Sequence, residues 1–314
     1  MPEADVNHNG AAAPDSRWPD FASLLPSAID PQTTVVMRHA PQETRLKRAL
    51  PTLAAEYPVQ FDAYQSIQGE RVARDLRRAR HLASFIGHKP RHALFVGIFE
   101  VGTAQRVTRE EWHARPGVRA ILDLGCPDWE VGSTLFELTP TNHLAAWQGK
   151  LAVQWPKPEI RWWRWAAQSQ MPITAIHEEA ALTQAVPQWD ELNLSLEELR
   201  AMPSRLREAL AQWRAIYYIY DVTTRRGYVG SAYGAQNLRR RWEDYPRNGH
   251  GGNKLLKAAL EEGSTKAEDL RFTILQRLSP DLDSDDVIRL ENSWMERLHT
   301  RAPSGFNASF RHAS

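Results

Sequence analysis

Residues 215–234 read AIYYIYDVTTRRGYVGSAYG. Two short aromatic-rich runs, IYYIYDV and GYVGSA, flank the polar TTRR. Short runs of this kind, bounded by turn residues, predict two strands, and the intervening length suits a hairpin. Gly227 is expected to relieve the turn. Side chains alternate across a strand, so Tyr217 and Tyr228 are expected to point into one cleft. NLRRRWEDY follows at once, and a basic helix is predicted over 235–245.

Working outward, a second helix is expected over 253–262 and a third strand over DLRFTILQRL, residues 269–278. DSDDVIRLENSWMERLHTR, residues 283–301, reads as a helix. Ser284 is its expected cap, acids crowd its first turn, and Ile288, Leu290, Trp294 and Leu298 supply the apolar face. The order ββααβα predicts an α+β domain, a small antiparallel sheet flanked by helices.

Six short motifs recur through this half: A-I-Y at 215–217, Y-V-G at 228–230, R-R-W at 240–242, G-H-G-G-N at 249–253, E-N-S-W at 291–294 and G-F-N at 305–307. In this order and spacing they resemble the GIY-YIG nuclease family over residues 214–309. The resemblance implies metal-dependent hydrolysis of DNA, with Tyr217, Tyr228, Arg241, His250, Glu291 and Asn307 as the site and Glu291 as the ligand of Mg²⁺ or Mn²⁺. Ala215 stands where the family has glycine. Two other readings follow from it: a DNA-binding protein that kept the fold and lost the chemistry, or a homing or repair nuclease.

The residue types suit the reaction. Arg241 can grip phosphate oxygens with a planar fork, which lysine cannot do. Glu291 supplies one carboxylate, and Mg²⁺ takes one or two carboxylates with phosphate oxygens and water. A tyrosine with a pKa near ~10 is a weak base at neutral pH. The expectation is that Tyr217 acts as the base with metal and arginine lowering its pKa, and that His250 shares proton transfer or touches a phosphate. Asn307 is expected to support the site by hydrogen bonding, and Trp294 to be core.

The net charge of the chain is +1, which excludes a uniformly basic surface. Between Arg225 and Lys257, however, eight Lys/Arg face two acids, a local balance of +6. Arg239, Arg240, Arg241 and Lys254 in that stretch are candidate DNA contacts. One cysteine, Cys126, excludes an internal disulfide framework and a cysteine-based zinc site. With no secretory start and no membrane-length apolar run, the expectation is a cytoplasmic protein without a membrane partner. DNA is the expected partner, and a homodimer is compatible with the sequence.

The expected layout is a disordered tail at 1–16, a β-rich DNA-recognition domain at 17–180, a helical connector at 181–213 and the nuclease domain at 214–314. Within the first domain TTVVMRH, HALFVGIFEV, KLAVQW and PEIRWWRWAA read as strands. A helix is expected from Glu43 to Tyr57, broken near Pro51, and a basic helix over ERVARDLRRARHLASFI, stopped by Gly87. Arg71, Arg74 and Arg78 on that helix are candidate backbone contacts. Trp155, Trp162, Trp163 and Trp165 interleave with Lys157, Arg161 and Arg164, a pattern suited to stacking on bases. Of these, Trp162 and Trp163 are the candidate DNA contacts. ASFIGHKPRHALFVGIFEV faintly resembles the PUA-like/EVE reader domains over about twenty residues, which implies a barrel that selects a sequence or a modified base. Pro203 should split 195–213 into two short helices, the first capped by Ser195 with Glu198.

Overall fold

The computed structural model describes residues 19–182 and 186–309. The expected tail at 1–16 lies outside the described residues. Strands before residue 180 are β1 (Thr34–His39), β2 (Ile67–Gln68), β3 (His81–Gly87), β4 (His92–Arg106), β5 (Thr134–Pro140), β6 (Leu151–Gln154), β7 (Trp163–Trp165) and β8 (Ile173–Ile176). After it come β9 (Asn193–Ser195), β10 (Ala215–Asp221), β11 (Gly227–Ala232) and β12 (Leu270–Arg277). The fold class is α+β, as the sequence predicts.

Two compact units emerge. Described residues up to Ala40, with Gly69–Gln105 and Phe136–Ala181, make the first; Pro41–Gln68, Arg106–Leu135 and the chain from Leu182 make the second. The sheet of the first unit runs β5-β4-β3-β1-β7, with β6 on β4 and β8 on β6. β1 and β3 are parallel, while β4 is antiparallel to β3. The mixed sheet is curled, and no ladder joins β7 to β8 among the described residues. In its core Phe21 meets Phe85 edge to face at 4.9 Å and Phe85 meets Phe95 likewise at 5.5 Å, with Trp155 fully buried beside them.

Two helix expectations fail here for physical reasons. The basic helix covers only Glu70–Leu76, and residues 81–87 form β3. β3 lies between β1 and β4, and Leu82–Ile86 are all buried. A strand with no wet face shows no alternation, and its apolar run reads equally as helix. Arg78 therefore sits in a turn beyond the helix end. In the second unit the helix Thr44–Glu56 continues through Pro51. Burial of Leu46, Leu50 and Leu53 holds it despite the missing backbone donor.

The small sheet of the second unit has the order β11-β10-β12-β9 and is antiparallel throughout. Residues 193–212 do more than connect. β9 extends this sheet, the Ser195/Glu198 capping box opens the helix Leu196–Arg200, and Leu196, Leu199, Met202, Leu206 and Leu210 enter its core. Pro203 separates that helix from Ser204–Gln212. Tyr57 donates its hydroxyl to the Met202 carbonyl at 2.8 Å, tying residues 41–68 to the same core. In the hairpin, positive φ falls on Arg225 (58°), not on Gly227. Gly227 serves another end: a Cβ there would collide with the Tyr218 ring.

Candidate active site

The hairpin register sets the site. Tyr217 pairs with Gly230, and Ile219 with Tyr228, which puts both tyrosines on one face. That face is covered by Leu238, Trp242, Tyr245 and Leu256 from the helices Asn237–Glu243, Tyr245–Asn248 and Lys254–Glu261. The opposite face, with Ile216 and Val229, takes the helix Ser284–Arg297. Gly230 is needed for close approach: a Cβ there would lie 2.5 Å from the Tyr217 ring and 2.9 Å from that of Tyr228.

The two rings meet edge to face at 6.2 Å, and Tyr217 meets Trp242 in the same way at 6.3 Å. Tyr217 is 2 % exposed, whereas Tyr228 is only partly covered. Burial pushes the Tyr217 hydroxyl well above its usual range; the neighbouring phenols of Tyr245 and Tyr228 add to this and the Arg241 charge opposes it. Tyr228 is raised too, by burial and then by the Glu291 carboxylate, against the hydrogen bond with Tyr217 and the charge of Arg241. Arg241 is exposed on the helix Asn237–Glu243, with no ion pair of its own among the described residues.

Glu291 projects from the helix Ser284–Arg297 toward β11, the edge strand, and its Oε2 accepts a 2.5 Å hydrogen bond from Ser231 Oγ. Burial raises its pKa, opposed by Ser231, Arg241 and Arg301. The site thus forms around one sheet edge, with the phenols on one face and the carboxylate from the other. No group of three or more His, Cys, Asp or Glu that could hold a metal occurs among the described residues. Glu291 stands as a single carboxylate, a donor set that fits Mg²⁺ or Mn²⁺ completed by substrate and water.

Asn307 is buried and clamps β11: its Nδ2 donates to the Val229 carbonyl at 2.8 Å and its Oδ1 accepts from the Val229 N–H at 2.9 Å. With Phe306 N–H bonded to Gly227 O, residues 306–307 cover half of an otherwise open strand edge. His250 keeps to its own loop, its Nδ1 accepting from the Gly252 N–H at 3.0 Å, and no hydrogen bond or ion pair links it to the tyrosines, Arg241 or Glu291 among the described residues. The next residue, Gly251, abuts the Tyr245 ring so closely that a Cβ would clash. Arg239 pairs with Glu243 at 2.9 Å, while Arg240 and Lys254 stay exposed. Asp283, not Ser284, caps the last helix. Of its expected apolar face, Ile288 is exposed and Val287 takes the buried place. Trp294 is partly buried and donates to Gln276 at 3.0 Å.

In the first unit, the Arg71 guanidinium lies 5.7 Å over Trp163, and Arg78 lies 5.8 Å over Trp165. Trp163 Nε1 donates to Asp75 at 2.9 Å, and Trp162 packs edge-on against Trp163. Arg74 is exposed. The indoles here thus take partners from the helix Glu70–Leu76 and the turn after it, while Arg164 binds the carbonyls of Pro156 and Pro158.

Two residues escaped the sequence reading. Tyr245, 2 % exposed, is coupled by hydrogen bonding to Tyr217 and raised by burial; its signal was its place four residues after Arg241. Ser231 was legible only as the strand neighbour of Val229 on the side that meets the last helix.

No family model and no curated protein matches the chain. Among solved structures it is similar to the catalytic domain of the homing endonuclease I-TevI. That match has 22 % identity over 31 % of this chain and 99 % of that one, with a TM-score of 0.25. A mutant of the same intron-endonuclease domain gives 23 %, 32 %, 99 % and 0.25.

Proposed function

We propose that the chain is a DNA endonuclease that hydrolyses phosphodiester bonds at the edge of β11. One observation carries the reading: an unpaired arginine, a fixed carboxylate and a coupled set of three tyrosine hydroxyls gather there from five separate segments. Arg241 would take two phosphate oxygens and counter the charge that builds on them. With Oε2 held by Ser231, Glu291 keeps Oε1 for a divalent cation. Such an ion, when bound, would polarise the phosphate and make water more acidic.

Tyr228 is the phenol that reaches solvent, so it meets the attacking water, and Tyr217 stands behind it. This reverses the expected order of the two. Burial keeps both hydroxyls protonated at neutral pH, so their first task is to hold and orient water, with proton acceptance following as substrate brings Arg241 into play. Ala215 lies in extended β10 and has no positive φ, so its methyl is accommodated without strain. A first unit that selects DNA and a second that cuts it would suit restriction or phage defence, with a homodimer as one way to cut both strands.

The test is Glu291→Gln in the full chain with Mg²⁺ and a panel of modified and unmodified phage DNAs. Cleavage should disappear while the chain stays folded and still binds DNA. Cleavage at the unsubstituted rate would sink the assignment.

A further inference from the structure

Residues 156–162 of the first unit read PKPEIRW. This loop is fastened from beneath. Buried Arg164 donates from Nη2 to the carbonyls of Pro156 at 3.1 Å and Pro158 at 2.9 Å. Buried Trp155 donates Nε1 to the Arg161 carbonyl at 3.1 Å, and the Arg38 N–H binds the Trp162 carbonyl at 2.7 Å. Glu159 is the one acid in the loop. Its Oε2 pairs with the Arg38 guanidinium at 3.2 Å and accepts the Arg91 N–H at 3.1 Å, which also anchors the neighbouring turn 88–91.

With Glu159 engaged by Arg38 and the Arg91 N–H, the unpaired charges at the surface of the loop are cationic. Lys89, Lys157 and Arg161 are exposed, and none makes an ion pair among the described residues. Between Lys157 and Arg161 stands Ile160, 86 % exposed. Folding alone gains nothing from a rigid loop that holds an isoleucine in water between two cations. Val131, at 93 % exposure, marks the contrast: its loop carries Asp128 and Glu130, and Asp128 pairs with Arg109 and His113. An apolar tip flanked by unpaired cations complements a polyanion; one flanked by Glu130 and an already paired Asp128 does not.

We infer that the 156–162 loop and the 88–91 turn form a DNA-docking element, with Lys89, Lys157 and Arg161 on backbone phosphates and Ile160 as an apolar wedge against a base step. Phosphate contacts set affinity and register, and an inserted aliphatic side chain unstacks the step it enters. The chemistry is that of a duplex groove, where anionic backbone flanks apolar base faces. This deepens the reading of the chain as a DNA enzyme and rests on it.

The experiment uses the full chain in EDTA, so that binding is read without cleavage, and duplexes carrying scattered 2-aminopurine. Lys157→Ala with Arg161→Ala should lower the log–log salt slope of binding by about 1.8, at ~0.9 per phosphate. Ile160→Ala should leave that slope unchanged and abolish the rise in 2-aminopurine fluorescence. All three positions are exposed, and an unchanged melting temperature checks folding. A slope unaltered by the double substitution, with the unsubstituted chain binding DNA, overturns the docking element and leaves the nuclease reading standing. Failure of the unsubstituted chain to bind any duplex sinks both. Ile160-dependent binding to phosphatidylserine vesicles, with DNA binding indifferent to Ile160, would assign the loop to a membrane surface and also overturn the inference.

Discussion

Two aromatic–arginine assemblies occupy the two units, and they behave in opposite ways. In the first, PEIRWWRWAA packs its tryptophans and arginines into ten consecutive residues, yet its indoles find partners within the unit: Arg71 lies over Trp163, Arg78 over Trp165, and the Trp163 N–H reaches Asp75. In the second, Tyr217, Tyr228, Arg241, Tyr245 and Glu291 are spread over 75 positions and converge. There Arg241 keeps a free guanidinium, and three phenols are held at raised pKa. Density in sequence marks packing as readily as a site. What distinguishes a site is a set of polar groups whose mutual satisfaction is incomplete.

The sharpest way to test that contrast is the tyrosine pair. Tyr228→Phe keeps the ring and removes the hydroxyl that would meet water, and cleavage should fall by ~10²–10⁴-fold. Tyr217→Phe should fall less, since its hydroxyl acts through its neighbours. Burial raises both pKa values, so the unsubstituted rate should climb with pH through neutrality as the ionised phenol fraction grows. Tyr228→Phe should flatten that climb. Rates measured from pH 6 to 9 decide it, and a larger fall in Tyr217→Phe would restore the opposite order of roles.

Much of the second unit was legible. β10, β11 and β12 are short apolar runs bounded by turns, and the Ser195 capping box declared its helix. What escaped had definite causes. β3 is buried on both faces, which removed the alternation that separates strand from helix. The Ser231–Glu291 bond joins residues sixty apart, and its signal was only the pairing of a strand edge with a helix. Ile288 and Val287 exchanged places because a one-residue error in helix phase turns a side chain by about 100°. The loop at 156–162 was visible as charge, but the pairing of Glu159 with Arg38, which leaves the cations unpaired, is a tertiary fact.

A smaller effect should separate scaffold from chemistry inside the second unit. Asn307→Ala removes both hydrogen bonds to Val229 and uncovers part of the β11 edge. The expected loss is about 1–3 kcal/mol of stability, read by denaturant unfolding. Activity at low temperature should decline far less than in Tyr228→Phe. If Asn307→Ala is as inactive as Tyr228→Phe while fully folded, Asn307 acts on the substrate and not through the strand.

The smallest effect is expected in the first unit, at Arg71. Its guanidinium lies over Trp163 at an exposed position, where a cation–π contact contributes ~0.5–1 kcal/mol. Arg71→Ala should therefore lower the melting temperature slightly and leave the salt dependence of DNA binding as it was, because the cation already has its partner. Trp163 would lose its lid but keep its bond to Asp75. A salt slope reduced by about 0.9 would instead show Arg71 neutralising a phosphate. In that case the helix Glu70–Leu76 would join the DNA surface, and the contrast between a self-satisfied cluster and an open one would hold only for the tryptophans.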